Sequence, residues 1–429
     1  MLVSNGLVRP VSSQRLVTRL RFQFAVIGLA AMLLPLLMPL ITSGRFTTSL
    51  AGTRISQLSS CLAAEVALLA FRRVTAYPGT SGFAYIIPAF SITFGLATAI
   101  LLGLRLSYSG SMVLVGYVAS TVVMFVLWYI GERSAPRRMY FVPAGNTSIV
   151  TDTPEVEWVS LLNTEMPGWG AAIVADLRWD HAPEWERLLA DAAVSGRSVY
   201  HTKQLHESLT GRVEIEHLSE NSFGSLLPNR AYHGVKRSLD LLACLVLLPL
   251  LAVPMMVVAV LIRLDSPGPA LFRQERMGFR GHPFRVLKFR TMVDRPHVAD
   301  ETMRQSSITQ AGDHRVTRLG RILRRTRIDE LPQIINVLRG EMSWIGPRPE
   351  AMALSRWYET ELPFYVYRHI VRPGITGWAQ VNQGHVAELN DVHVKLHYDF
   401  YYIKHFSAWL DVLIGMRTVA TILTGFGAR

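Results

Sequence analysis

Cysteine is nearly absent from this 429-residue chain, which has only Cys61 and Cys244. Both lie inside apolar runs, where a free cysteine behaves as a small buried hydrophobe, so neither a disulfide framework nor a cysteine zinc site is implied. Charge is scarce too. Only 18% of residues are Asp, Glu, Lys or Arg while 50% are hydrophobic, a balance that suits a membrane protein and not an ordinary soluble one. Acids are the scarcer sign, 32 against 44 Lys and Arg, which leaves a formal net charge of +12. Such a chain favours anionic partners, whether lipid head groups, phosphorylated substrates or nucleic acid, and composition does not choose among them.

What is present begins with four apolar segments: Phe22 to Thr42, Ile55 to Phe71, Phe83 to Leu104 and Ser111 to Tyr129. Each is near the roughly 20 residues needed to cross a hydrocarbon core. The first follows Arg9, Arg15, Arg19 and Arg21, as a signal peptide would, but its apolar run continues too long and no small-residue cleavage site follows, so it is expected to be retained. The second is short and carries Glu65, and an interfacial or bundle-buried helix is its alternative reading. Arg72 and Arg73 follow the second segment and Arg133, Arg137 and Arg138 the fourth, whereas the alternate loops hold only Arg45, Arg54 and Arg105. The positive-inside rule then places the N-terminus and everything after the fourth span in the cytoplasm.

From Tyr140 to about Leu227 the composition turns soluble. "GAAIVADL" reads as a buried strand, "APEWERLLADAAVSG" as an amphipathic helix stopped by glycine, and "RSVYHT" as the next strand, a small Rossmann-like α/β pattern. "YFVPAGNTSIV" lacks G-x-G-x-x-G, so a spacer, regulatory or oligomerisation role is expected in place of dinucleotide binding. An apolar run from Leu241 to Ile262 follows, with Pro249 and Pro254 inside it and Lys236, Arg237, Arg263, Arg273 and Arg276 around it. Proline removes a helix hydrogen bond and kinks the axis. A helix-break-helix over about 239–262 that enters and leaves on one face accommodates both facts; a kinked fifth span is the alternative. Near the end, "SAWLDVLIGMRTVATILTG" carries Trp409, Leu410, Leu413, Met416, Ile422 and Leu423 around a few polar residues, as a helix lying in the interface or an ordinary core helix would.

The chemistry-bearing residues follow that run. Arg315, Arg318, Arg321, Arg324, Arg325 and Arg327 fall within thirteen residues, and a helix over Arg318 to Arg325 puts Arg318, Arg321 and Arg325 on one face, suited to phosphates or lipid head groups. Directly behind stand Asp329 and Glu330, with Pro332 after them. Aspartate there reads as a helix N-cap. Among guanidinium groups it is expected to stay ionised, as a nucleophile must, while Glu330 could hold a hard divalent cation such as Mg²⁺. "GPRP" presets Arg348 between two prolines. "FRVLKFRTM" alternates as a strand and sends Lys288 and Arg290 to one face, Arg372 precedes a Pro-Gly turn, and Arg324 belongs to the arginine run; all are candidate substrate contacts.

In order along the chain, "KRSLD", "SPGPALFRQERMG", "FRVLKFRTM", "RIDELPQIINVLRGEMSWIGPRPE", "RPGITGWAQV" and "HYDFYYIKHFSAWLD" resemble the bacterial sugar transferase family, the polyprenol-phosphate glycosyl-1-phosphate transferases, over about Lys236 to Leu423. The N-terminal part is similar to large members that initiate exopolysaccharide, capsule or O-antigen synthesis. The resemblance implies a membrane α/β protein of three parts. These are a four-helix transmembrane bundle (1–135), a degenerate Rossmann-like module (136–230) and a mostly α, monotopic catalytic domain with a re-entrant helix (231–429) on the cytoplasmic face of the inner membrane. It further implies transfer of a sugar-1-phosphate from a UDP-sugar to undecaprenyl phosphate with Mg²⁺ and release of UMP. Asp329 would be the nucleophile, Glu330 the Mg²⁺ ligand, Lys288, Arg348 and Arg372 phosphate contacts, and Asp399 a family acid of less defined role. Two departures stand out: Arg327 occupies a position that is commonly small and polar, and "WAQVN" continues as "QGH". A non-enzymatic membrane scaffold or sensor is the rival reading. Nucleic-acid binding is not expected, for lack of any recognisable module, and homodimerisation through the N-terminal two-thirds is compatible with the sequence.

Overall fold

A computed structural model of the chain describes residues 19–37, 50–75, 82–132, 138–153, 156–168, 171–215, 228, 230–293, 315–383 and 388–424. They fall into two compact units, Met1–Thr210 and Gly211–Arg429.

In the first unit all four apolar segments are helical: α1 (Leu20–Leu33, continued by a 3₁₀ turn to Leu37), α2 (Leu50–Thr75), α3 (Gly82–Gly103) and α4 (Gly110–Glu132). Each is long and apolar enough to cross a membrane. The end of the first expected segment, 38–42, and Arg133 and Arg137 lie outside the described residues. The helices share one buried cluster that includes Ile27, Leu68, Ile86, Phe90 and Met124. Their opposite faces still expose Leu62, Ile92, Leu96 and Val122. Helices that are apolar all round find a solvent for both faces only in lipid. A Cβ on Gly116 would lie 2.9 Å from Ser60 Cβ, so α2 and α4 approach through small residues. Helix α2, at 26 residues, outruns the expected segment, and its Glu65 accepts a weak hydrogen bond from Cys61 at 3.7 Å.

Four short parallel strands follow: β1 (Arg138–Phe141), β2 (Glu157–Ser160), β3 (Ala172–Ala175) and β4 (Val199–His201). They are ordered β2-β1-β3-β4, with Tyr140 opposite Ile173. Between them run α5 (Ile149–Asp152) and α6 (Pro183–Val194), and α7 (Thr202–Thr210) follows β4. The strand-helix-strand pattern thus lies where the apolar periodicity placed it. Helix α6 stops two residues before Gly196, whose φ of +77° only glycine adopts without strain.

The second unit opens with α8 (Arg230–Asp265), 36 residues that run unbroken through Pro249 and Pro254. A proline deletes one backbone bond without ending a helix whose other bonds persist, so the expected interruption does not appear in the secondary structure. One face of α8, through Cys244, Leu248, Leu251, Met255, Ala259 and Ile262, packs on the unit's core. The other exposes Leu239, Leu242, Leu245, Leu250, Val253, Val257, Val260 and Leu264 in a continuous stripe.

Strands β5 (Leu271–Met277) and β6 (Pro283–Phe289) form an antiparallel hairpin with Phe272 opposite Lys288. Then come α9 (Arg318–Arg325), a 3₁₀ turn (Ile328–Gln333), α10 (Ile334–Arg339), β7 (Ser343–Ile345), α11 (Met352–Glu361) and a second 3₁₀ turn (Tyr365–Ile370). Strand β8 (Gly374–Thr376), α12 (Trp378–Asn382), α13 (Leu389–Lys404) and α14 (Ala408–Thr424) complete the unit. Strands β7 and β8 pair in parallel. In α14, Leu410, Leu413 and Ile414 are fully buried, whereas Val419 and Ile422 are exposed. Core packing therefore accounts for its first half and leaves an apolar face on the second.

The polar first turns of α8 are tied to the unit at several points. Lys236 pairs with Asp411 at 2.6 Å, Arg237 donates to the Val337 carbonyl at 2.6 Å, and Asp240 accepts from Ser343 Oγ at 2.7 Å.

Candidate active site

Asp329 and Glu330 are brought to the hairpin by a backbone reversal. Arg327 has φ +59°, a left-handed conformation costly for a side-chain-bearing residue, and its carbonyl accepts from Glu330 N at 3.2 Å. The residue at the N-cap position of the 3₁₀ turn is thus Arg327. Asp329 sits in the first turn, not at the cap that the Asp-Glu-x-Pro pattern suggested.

Glu330 is buried, and its Oε1 accepts from Lys288 Nζ and from Arg348 Nη2, each at 2.9 Å, with Arg327 Nη1 at 3.8 Å. Lys288 comes from β6 and Arg348 from the "GPRP" turn after β7. Burial alone would raise the Glu330 carboxyl, but Arg348 and Lys288 outweigh it and hold it well below the usual carboxylate range. Burial also drags Lys288 down to about 8, with Arg348 and Arg276 adding to the fall and Glu330 opposing it.

Asp329 differs from its neighbour. Its carboxyl is buried and Oδ1 has no hydrogen-bond partner. Burial, then Glu330, push its pKa up, against weaker pulls from Lys288, Arg348 and Arg324. Guanidinium neighbours therefore do not dominate Asp329: Lys288 and Arg348 are spent on Glu330, and desolvation is the larger effect.

Two glycines set Arg348. A Cβ on Gly346 would lie 2.3 Å from the Arg372 carbonyl oxygen, and one on Gly374 would lie 2.1 Å from Gly346 N. Only bare backbone lets the "GPRP" and "RPGITG" segments run side by side. Behind the turn, Arg368 is 3% exposed and donates to the Arg348 carbonyl at 2.9 Å while pairing with Asp399 at 2.8 Å. Asp399 thus reaches the site through Arg368. Burial raises its pKa, with Arg368 opposing. Arg276 donates to the Pro349 carbonyl, and Lys395 donates to Glu350.

Of the remaining candidates, Arg324 Nε donates to Thr291 Oγ1 at 2.9 Å. Strand β6 ends at Phe289, so the alternation that put Arg290 beside Lys288 stops short of it; Arg290 is buried and donates to Ser266 O at 2.6 Å and Oγ at 2.9 Å. Arg372 donates to the Gly340 carbonyl at 3.0 Å. With Arg237, which donates to the Val337 and Leu338 carbonyls, it serves the C-terminus of α10, where the helix's own N–H groups run out. The structure therefore gathers Lys288, Asp329, Glu330 and Arg348, adds Arg324 and Asp399 at one remove, and engages Arg290 and Arg372 elsewhere. Sequence reasoning missed Arg276 and Arg368, which carried no local signal. It noticed Arg327 only as the last of the arginine run and as a departure from a family pattern.

For Mg²⁺ the donor set fits. Among the described residues no three His, Cys, Asp or Glu side chains gather, but Mg²⁺ is commonly held by one or two carboxylates plus substrate phosphate. The orphaned Asp329 Oδ1 beside Glu330 is an oxygen of that kind.

Comparison with known proteins places this site in context. Residues 231–425 match the bacterial sugar transferase family model. The UDP-N-acetylgalactosamine-undecaprenyl-phosphate N-acetylgalactosaminephosphotransferase of Aeromonas hydrophila is 47% identical over 362 residues, 83% of this chain and 84% of that protein. UDP-glucose:undecaprenyl-phosphate glucose-1-phosphate transferases are 46% identical over 206 residues in Caulobacter vibrioides (47% of this chain, 74% of that one) and 42% over 187 in Escherichia coli (43% and 39%). These relatives are enzymes, which decides against a non-enzymatic scaffold. Together with the apolar helices of both units, the match over most of the chain makes this membrane protein a member of the bacterial sugar transferase family.

Proposed function

We propose that the protein transfers a sugar-1-phosphate from a UDP-sugar to undecaprenyl phosphate and releases UMP, as the first membrane step in building a surface polysaccharide. The observation that carries this reading is the division of labour between adjacent acids: Glu330 is neutralised by Lys288 and Arg348, while Asp329 keeps a buried oxygen without a partner. An Asp329 oxygen attacks the phosphorus attached to the sugar, the bond to the bridging oxygen breaks, and the electron pair leaves with UMP. An oxygen of the lipid phosphate then attacks the same phosphorus and frees Asp329. Asp329 and Glu330 would hold Mg²⁺, which when bound supplies positive charge to offset that of the diphosphate. Arg348, preset by its turn, and the partly exposed Arg324 and Arg327 would supply guanidinium donors to the developing phosphate charge.

The catalytic domain reads as monotopic, on the cytoplasmic face of the inner membrane. Support comes from α8, whose core-facing side packs on β6 and α10 along its apolar run while the outer stripe is left for lipid. A helix crossing the bilayer would carry those elements into hydrocarbon with it. The N-terminal helices and the parallel-sheet module would anchor and space this domain.

The test is Asp329→Asn in isolated membranes given labelled UDP-N-acetylgalactosamine and UDP-glucose, the donors in the relatives' names. Transfer to lipid should fall by at least about a thousand-fold with the protein still inserted. Wild-type turnover by the variant would remove Asp329 from the reaction.

A further inference from the structure

A second cluster of cations lies at the far end of β6 from Lys288. Phe279, in the turn between β5 and β6, has the guanidinium carbons of Arg280 and Arg372 each 5.0 Å from its ring centre, and the His233 ring 5.9 Å away. Arg372 also donates to His233 at 3.3 Å. Arg237 stands one turn beyond His233 on α8 and shares the Val337–Gly340 carbonyls with Arg372. Strand β6 separates this group from the acid pair: from Pro283 to Lys288 the chain climbs about 17 Å.

Among the described residues, none of Arg237, Arg280 and Arg372 makes an ion pair with a carboxylate. Asp240, the acid whose charge acts on Arg372, is engaged by Ser343 and by Trp344 N. Arg280 is exposed and holds φ +56°, a conformation that side-chain-bearing residues rarely adopt. Its guanidinium makes no hydrogen bond or ion pair within the described residues. The strained backbone sets the guanidinium against the Phe279 ring and leaves its N–H groups to solvent.

The position says what those groups face. Arg237 precedes Leu241 by four helical residues, about 6 Å along the axis, and the exposed apolar side chains of α8 start beside it, at Val235, 56% exposed, and run on through Leu239, 50% exposed, and Leu242, 58% exposed. The cluster therefore sits where the chain passes from polar to lipid-facing surface, at head-group depth.

We propose that Arg237, Arg280 and Arg372, with His233 and Phe279, form a second anion site, separate from the acid pair, that holds the phosphate of an anionic bilayer lipid. Guanidinium forks match phosphate oxygens in geometry and charge. The half-buried Phe279 ring gives the site an apolar wall on its lipid side.

The full chain, purified in neutral detergent, is titrated with short-chain phosphatidylglycerol while its thermal unfolding midpoint is followed. Phosphatidylcholine of the same chain length and inorganic phosphate serve as parallel arms. Phosphatidylglycerol should raise the wild-type midpoint at concentrations where the other two do not. Arg280→Asn should need roughly five-fold more of it, the worth of one interfacial cation. Asparagine tolerates the left-handed conformation, so the lipid-free midpoint should not drop, which separates a lost site from a lost fold. The proposal is overturned if phosphatidylglycerol leaves the wild type unchanged, or if Arg280→Asn titrates as the wild type does. Equal protection by inorganic phosphate would overturn it too, by making this a site for soluble phosphate.

Discussion

Replacing Glu330 by Gln tests the geometry of the acid pair most directly. One buried oxygen of Glu330 takes Lys288 and Arg348, each at 2.9 Å. Glutamine keeps the shape and loses the charge, leaving two cations whose side chains are only 16% and 20% exposed. Removing one partner of a buried pair costs about 3–5 kcal/mol. In a body of this size about 1 kcal/mol moves the unfolding midpoint by roughly 2–4 °C, so the Gly211–Arg429 unit should unfold about 6–20 °C lower. Scanning calorimetry of the detergent-purified chain reads the shift. A companion variant, Lys288→Met with Glu330→Leu and Arg348→Met, substitutes an apolar trio of similar volume, a replacement that is often neutral or stabilising. It should regain the midpoint while transfer stays absent, which separates what the cluster does for the fold from what it does for the chemistry. A Glu330→Gln midpoint within about 2 °C of wild type would refute the buried cluster.

Two further outcomes follow from the same residues. Lys288, held at about 8, loses its charge as pH rises through that value, so transfer should fall on an alkaline limb centred near pH 8 that Lys288→Arg moves upward. Stability should run the other way: between about 8 and the ordinary 10.5 the unfolded chain binds the extra proton, so folding gains as pH rises. Parallel trends in activity and stability over that window would contradict the assignment. Arg327→Asn should raise the midpoint of the second unit by about 2–4 °C, because asparagine accepts the left-handed conformation that costs arginine roughly 1 kcal/mol. A lower midpoint would mean that the 3.8 Å contact with Glu330 outweighs the strain.

Much of the architecture was legible because it rests on periodicity and length. The four N-terminal helices, the strand-helix-strand pattern around Ala172–His201, helix α9 with Arg318, Arg321 and Arg325 exposed together, and the strand carrying Lys288 are local features. Neighbouring residues announce them. Less legible were places where one position decides the outcome. Strand β6 ends one residue before Arg290, and that single step turns Arg290 to Ser266 and away from Lys288. The two prolines of α8 looked like a break, yet packing of one face along its whole apolar run holds the helix together.

By itself the sequence determined that this is a membrane protein with an acid pair among arginines, and that its motifs belong together, since composition, run length and motif order need no third dimension. Only the tertiary structure decided which cations serve the acids. Lys288 and Arg348 reach Glu330 from 42 and 18 residues away, Asp399 acts through an unforeseen Arg368, and Arg372 caps α10 instead of meeting the acids. Every guanidinium offers the same charge to a reader of the chain; burial and direction distinguish them, and both are properties of the packed fold.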